Sequence, residues 1–98
     1  MRLDTAEVDA IRRAARQAFG TDATVRLFGS RADDTRRGGD IDLHVEVDED
    51  GNESAMRARF ENALFAQIEE QRVDVVLRRR GRPPAAIDLV ALRDGIIL

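Results

Sequence analysis

Apolar residues recur at helical spacing through the first twenty positions, where Val8, Ile11, Ala15, Ala18 and Phe19 share one side. Asp4 followed by Glu7 is a capping-box signature, and Leu3 and Val8 are placed as a hydrophobic staple. Gly20 supplies the stop. Residues 24–28 are then β-prone and run straight into Gly29-Ser30, while the polar stretch 31–39 reads as a short helix or a loop. From 40 to 47 the period is two. Ile41, Leu43, Val45 and Val47 take one face, and Asp40, Asp42, His44 and Glu46 take the other. Residues 48–52 read as a turn.

The second long helix is expected over 53–70, with Met56, Phe60, Ala63, Leu64 and Ile68 as its buried stripe. A third strand follows at 73–77, until Arg78-Arg79-Arg80-Gly81 breaks the pattern. Pro83 and Pro84 fit a helix start, Ile87, Leu89, Val90 and Ala91 its apolar side, and Gly95 its end. Ile96-Ile97-Leu98 reads as an edge strand or an exposed apolar patch. Without repeat or linker, residues 1–98 read as one domain of order αβ(α)βαβα. The expected architecture is a small α/β sandwich with helices covering one sheet.

Composition narrows the chemistry. The chain of 98 residues carries a formal net charge of −3, which argues against a broad basic surface for nucleic acid. Every basic residue is arginine, so a lysine nucleophile, a Schiff base and a P-loop lysine are excluded. There is no cysteine, hence no disulfide or thiolate chemistry. No apolar run approaches the roughly 20 residues needed to span a bilayer, and the expectation is a cytoplasmic protein.

The motif that carries chemistry is Leu27-Phe28-Gly29-Ser30-Arg31, followed by Gly39-Asp40-Ile41-Asp42-Leu43. Strand alternation puts Asp40 and Asp42 on one face, where two like charges call for a cation between them. Gly29 permits close backbone approach, and Ser30 offers a hydroxyl and an N–H to a phosphate oxygen. Arg31 is a further candidate phosphate contact. A hard divalent ion that accepts oxygen ligands and accompanies phosphates suits this set. Asp74, placed within the apolar run 73–77, adds a third carboxylate whose charge is costly to bury unless paired or metal-bound. His44 shares the face of the aspartates, either as a ligand or as a polar neighbour beside the site. Glu46 is expected in solvent. The cluster Arg78, Arg79, Arg80 and Arg82 reads as a solvated strand exit, or as a contact for an acidic protein partner in preference to RNA.

Gly29-Ser30, nine residues, Asp40-Ile41-Asp42-Leu43 and a later-strand Asp74 together resemble the minimal nucleotidyltransferase family. That family lies in the DNA polymerase beta-like superfamily and often supplies the antitoxin half of HEPT–MNT toxin–antitoxin pairs. The interval from Ser30 to Asp40 is one residue shorter than the commonest family pattern, and Gly39 stands where serine often precedes the first aspartate. The resemblance implies the α/β polymerase beta-like fold, a small mixed sheet with helices packed on one side, and nucleotide phosphates at Gly29 and Ser30. It implies Mg²⁺, as two ions, on Asp40, Asp42 and Asp74, the last also helping to deprotonate the acceptor. It further implies transfer of AMP or another NMP from an NTP such as ATP to a hydroxyl, as on a tyrosine of a cognate small helical HEPT protein. The alternatives are a non-catalytic antitoxin and a small-molecule, aminoglycoside-type nucleotidyltransferase. Neither a nucleic-acid substrate nor a membrane is expected.

Overall fold

A computed structural model describes residues 3–33, 39–48 and 51–98. Arg36, Arg37 and part of the turn expected at 48–52 lie outside the described residues. Helix α1, Thr5–Phe19, begins with the capping box read from the sequence. Asp4 Oδ1 accepts from the Glu7 N–H at 2.7 Å, and Glu7 Oε1 accepts from the Asp4 N–H at 3.2 Å. Strand β1 is Thr24–Phe28, and a one-turn 3₁₀ segment, Gly29–Ala32, follows it directly. Strand β2 is Ile41–Val47, helix α2 Glu53–Phe65, strand β3 Val73–Arg79, helix α3 Ala86–Asp94 and strand β4 Ile96–Ile97.

The four strands form one mixed sheet in the order β3-β2-β1-β4. Strand β1 pairs antiparallel with β2 and with β4, so the C-terminal apolar run is an edge strand. Strands β2 and β3 are parallel, and α2 is the crossover that such a connection requires. The odd residues of β2 face α1 and α2. Ile11, Leu27, Ile41, Leu43, Val45, Phe60 and Leu64 are all fully buried there, with Phe19 stacked on Phe60 at 5.4 Å between ring centroids. Gln67 joins the two helices: its Nε2 donates to the carbonyls of Ala10 and Ala63, and its Oε1 accepts from Arg13.

Helix α2 ends at Phe65, short of the expected residue 70. The Gln67 and Ile68 N–H groups both bond to the Leu64 carbonyl as the chain turns away, and Ile68 still packs against the core. Its apolar spacing therefore survives although the helix does not. Strand β3 runs two residues past its expected end, because Arg78 and Arg79 continue the ladder with Glu46 and Val47.

Helix α3 lies over the other face of the sheet, so helices cover both faces where one side was expected, because the even face of β2 carries His44 as a partner for Asp88 on α3. His44, on that face, is fully buried, and its Nε2 lies 2.8 Å from Asp88 Oδ1 on α3. The other Asp88 oxygen accepts from the Ala85 N–H at 2.7 Å and so caps the helix. Phe28 meets the His44 ring edge-on. Glu46 is buried too, against the expectation of solvent exposure. It receives Arg26 and Arg78, the latter at 3.1 Å, with Arg80 at 3.9 Å. Arg79 pairs with Glu53, and Arg80 also holds Asp48 and Thr24. Much of the basic cluster is thus spent on the chain's own acidic groups, since a carboxylate beneath a covering layer needs partners.

Burial would raise the Asp88 carboxyl, but hydrogen bonds from His44 and the Ala85 N–H outweigh it and hold it below the ordinary value of 3.8. A depressed carboxylate stabilises the fold above its unfolded pKa, and that contribution is lost as pH falls through the folded one. Asp88→Ala removes a helix cap and leaves a buried imidazole unpartnered, which should cost about 2–3 kcal/mol at pH 7. Urea unfolding should show this loss at pH 7 and a narrower gap between variant and wild type well below pH 3.8. Equal midpoints at pH 7 would contradict the assignment.

Candidate functional site

Two pairings assemble one cluster. The parallel register of β2 and β3 sets Asp42 directly beside Asp74, and alternation brings Asp40 to the same face. The antiparallel register of β1 and β2 sets Phe28 beside Asp42, so Gly29 emerges against that carboxylate. Gly29 has φ +73°, and a Cβ there would overlap Asp42 Oδ2. Only glycine satisfies both demands. Gly39 (φ +89°) sits against the Ser30 hydroxyl in the same way, and Arg31 Nε donates to the Gly39 carbonyl at 3.3 Å. Gly29, Ser30, Arg31, Asp40, Asp42 and Asp74 therefore converge at one end of the sheet.

Asp74 departs from its expected setting. It is about half exposed, its side chain at 51%. The apolar run suggested burial, but β3 is an edge strand whose face is open at this end. Its carboxylate is therefore open to solvent, with Arg72 beside it. His44 lies two residues further along β2, held beneath α3 by Asp88 and away from the aspartate cluster.

Arg72 is the member absent from the sequence-derived set. Its Nε lies 3.2 Å from Asp40 Oδ2 and 3.8 Å from Asp74 Oδ2. The alternation that pairs Asp40 with Asp42 also pairs Arg72 with Asp74, so the signal was present in Arg72-Val73-Asp74. Among the described residues, no group of three or more histidine, cysteine or acidic side chains stands placed to hold a metal ion. Asp40 and Asp74 are drawn to the guanidinium. The donor set itself is oxygen-only and anionic, which fits a hard divalent cation in chemistry. Beside the cluster, Phe28, Gly29, Ala32, Asp33, Val90 and Asp94 line a cleft of about 390 Å³.

Burial, then the charges of Asp74 and Asp40, push the Asp42 carboxyl above its ordinary value, and Arg72 only partly restores it. The folded state therefore holds this proton more tightly than the unfolded chain, whose carboxylate titrates near 3.8. The resulting destabilisation is absent below that pH and grows as pH rises through the folded pKa. Asp42→Asn should accordingly stabilise the metal-free protein at neutral pH. Solvent screening limits the gain to under about 1 kcal/mol, or roughly 4 °C in Tm. Thermal melts in chelator should show the gain at pH 7 and none at pH 3. A variant that melts below wild type at pH 7 would contradict the repulsion.

No helix among the described residues is long and apolar enough to cross a membrane. A search of curated proteins finds no match. The family model described as a nucleotidyltransferase domain, of the DNA polymerase beta-like kind, matches residues 8–93. That span holds most of α1, the Gly29-Ser30 turn, all three aspartates and nearly all of α3. With so much of the chain matched, and the mixed sheet compatible with that fold, the protein belongs to the nucleotidyltransferase-domain family and is a nucleotidyl transferase in general type.

Proposed function

We propose that this nucleotidyltransferase is Mg²⁺-dependent and moves AMP from ATP to a protein hydroxyl, a tyrosine on a cognate small helical HEPT toxin, acting as its antitoxin. The observation that supports this best is the β2–β3 register, which sets Asp42 beside Asp74 with Asp40 on the same face. Members of the family generally use an NTP and Mg²⁺. Asp40 and Asp42 would hold the cation, with Asp74 joining them from β3. When bound, the ion offsets charge on the phosphates and on the leaving pyrophosphate.

The remaining work falls to the chain. The Gly29-Ser30 turn lets the backbone and the Ser30 hydroxyl approach phosphate oxygens, with Arg31 at its edge. Phe28, Ala32 and Val90 offer the nucleoside an apolar wall beside that turn. The acceptor oxygen attacks the α-phosphorus, the bond to the β-phosphate oxygen breaks, and pyrophosphate departs. Asp74, open to solvent at the edge of the sheet, takes the acceptor proton. Holding the hydroxyl in line with the leaving group supplies much of the acceleration.

A protein acceptor is supported by α3. Ile87, Leu89, Val90 and Leu92 are exposed on it, and a helix apolar on so many sides is suited to cover by a partner. The same observation favours a second reading, in which binding alone neutralises the toxin.

Incubation with α-labelled ATP, Mg²⁺ and the protein encoded by the neighbouring gene should transfer label to that protein. Asp42→Ala should reduce transfer by about a hundredfold or more. If the partner stays unlabelled, or labels equally with Asp42→Ala, the catalytic reading fails. Neutralisation undiminished in an Asp40→Ala, Asp42→Ala double variant would select the binding reading.

A further inference from the structure

Arg72 stands one residue before β3, and its carbonyl accepts a hydrogen bond from the Ile41 N–H at 3.3 Å. That bond ties its backbone to the start of β2, next to Asp40. Its guanidinium reaches across two strands, with Nε near both Asp40 Oδ2 and Asp74 Oδ2. It therefore sits between carboxylates where a divalent ion would also be drawn. A guanidinium cannot release its charge by deprotonation, so it leaves such a place only by moving. Movement is easy here, because the side chain is 73% exposed and exposed pairs hold weakly.

Charge balance points the same way. Three carboxylates against one guanidinium leave two negative charges uncompensated, so the arginine does not complete neutralisation. A divalent cation in its place leaves one, so it balances the cluster better. Once displaced, the guanidinium remains rooted on the same face, with a planar fork suited to phosphate oxygens.

We propose that Arg72 is the resident counter-cation of this site: it holds Asp40 and Asp74 in the metal-free protein, yields them to a divalent ion, and then pairs with the phosphates of the nucleotide. This rests on the reading of the aspartates as metal ligands. Arg72 is thereby a positioning residue with two stations, and its removal has opposite effects on the two ligands. Removing a competitor strengthens metal binding, whereas removing a phosphate partner weakens nucleotide binding.

Titration of the full chain with Mn²⁺ alone, read by the electron paramagnetic resonance of the free ion, tests the first station. Titration with ATP at saturating Mn²⁺ tests the second. Arg72→Ala should bind Mn²⁺ about threefold to tenfold more tightly than wild type and ATP several-fold more weakly. Arg72→Gln, which keeps the stem and loses the charge, should shift both affinities in the same directions, and Arg72→Lys should stay near wild type for Mn²⁺. Asp42→Asn serves as the control and should lose Mn²⁺ affinity. Loss in Asp42→Asn without a gain in Arg72→Ala or Arg72→Gln overturns the role of Arg72 alone. Unchanged Mn²⁺ affinity in Asp42→Asn overturns the metal-site reading and this inference with it. Unchanged ATP affinity in both uncharged variants overturns the phosphate station.

Discussion

Repulsion among three carboxylates is the constraint around which this end of the molecule is arranged. The parallel register of β2 and β3 forces Asp42 beside Asp74, and strand alternation adds Asp40 to the same face. A fold selected for stability alone has no use for that juxtaposition. Its cost is visible in the raised Asp42 carboxyl, which burial and two neighbouring charges hold toward its protonated form. It is visible again in Arg72, stretched between two strands as a partial remedy. Strain of this kind, concentrated where ligands are bound, is the usual signature of a working site.

The rest of the structure makes that arrangement possible. Helices α1 and α2 bury the odd residues of β2 and fix the strand rigidly, so the even residues present their charges from a stiff support. Along that even face the environment changes steeply within a few residues. Asp40 and Asp42 stand at the open end, His44 is sealed beneath α3 by Asp88, and Glu46 is surrounded by arginines. His44 and Glu46 each meet charged partners from other elements, although His44 Nδ1 has none, and so one strand carries buried and solvent-open polar residues side by side. Gly29 completes the support, since its missing side chain is what lets the turn close on the Asp42 carboxylate.

Much of this was legible in the sequence because it depends on local rules. The capping box of α1, the alternation of β2 and the glycine turn all follow from spacing and from the conformational needs of single residues, and the edge strand at Ile96–Ile97 was one of two readings open there. What was not legible depends on covering layers. Alternation assigns His44 and Glu46 to the polar face but is silent on whether α3 and three arginines will lie over them. The apolar stripe of α2 extends to Ile68, yet the helix stops at Phe65, because a residue can stay in the core after the backbone turns. Asp74 misled in the opposite sense: its apolar neighbours implied burial, and edge position undid that. Arg72 was within reach of the alternation rule and falls outside the acidic motif that drew attention.

The central claim is that Asp40, Asp42 and Asp74 form one cation site despite Arg72 lying between them. A crystal of the protein grown with Mn²⁺ and a non-hydrolysable ATP analogue, with anomalous diffraction recorded, tests it most directly. The account predicts an anomalous peak about 2.1–2.2 Å from oxygens of Asp40 and Asp42, with the phosphates against Gly29 and Ser30. A peak bound by other residues, or the nucleotide bound with Asp40 and Asp74 still facing Arg72 and no ion among the aspartates, would contradict it.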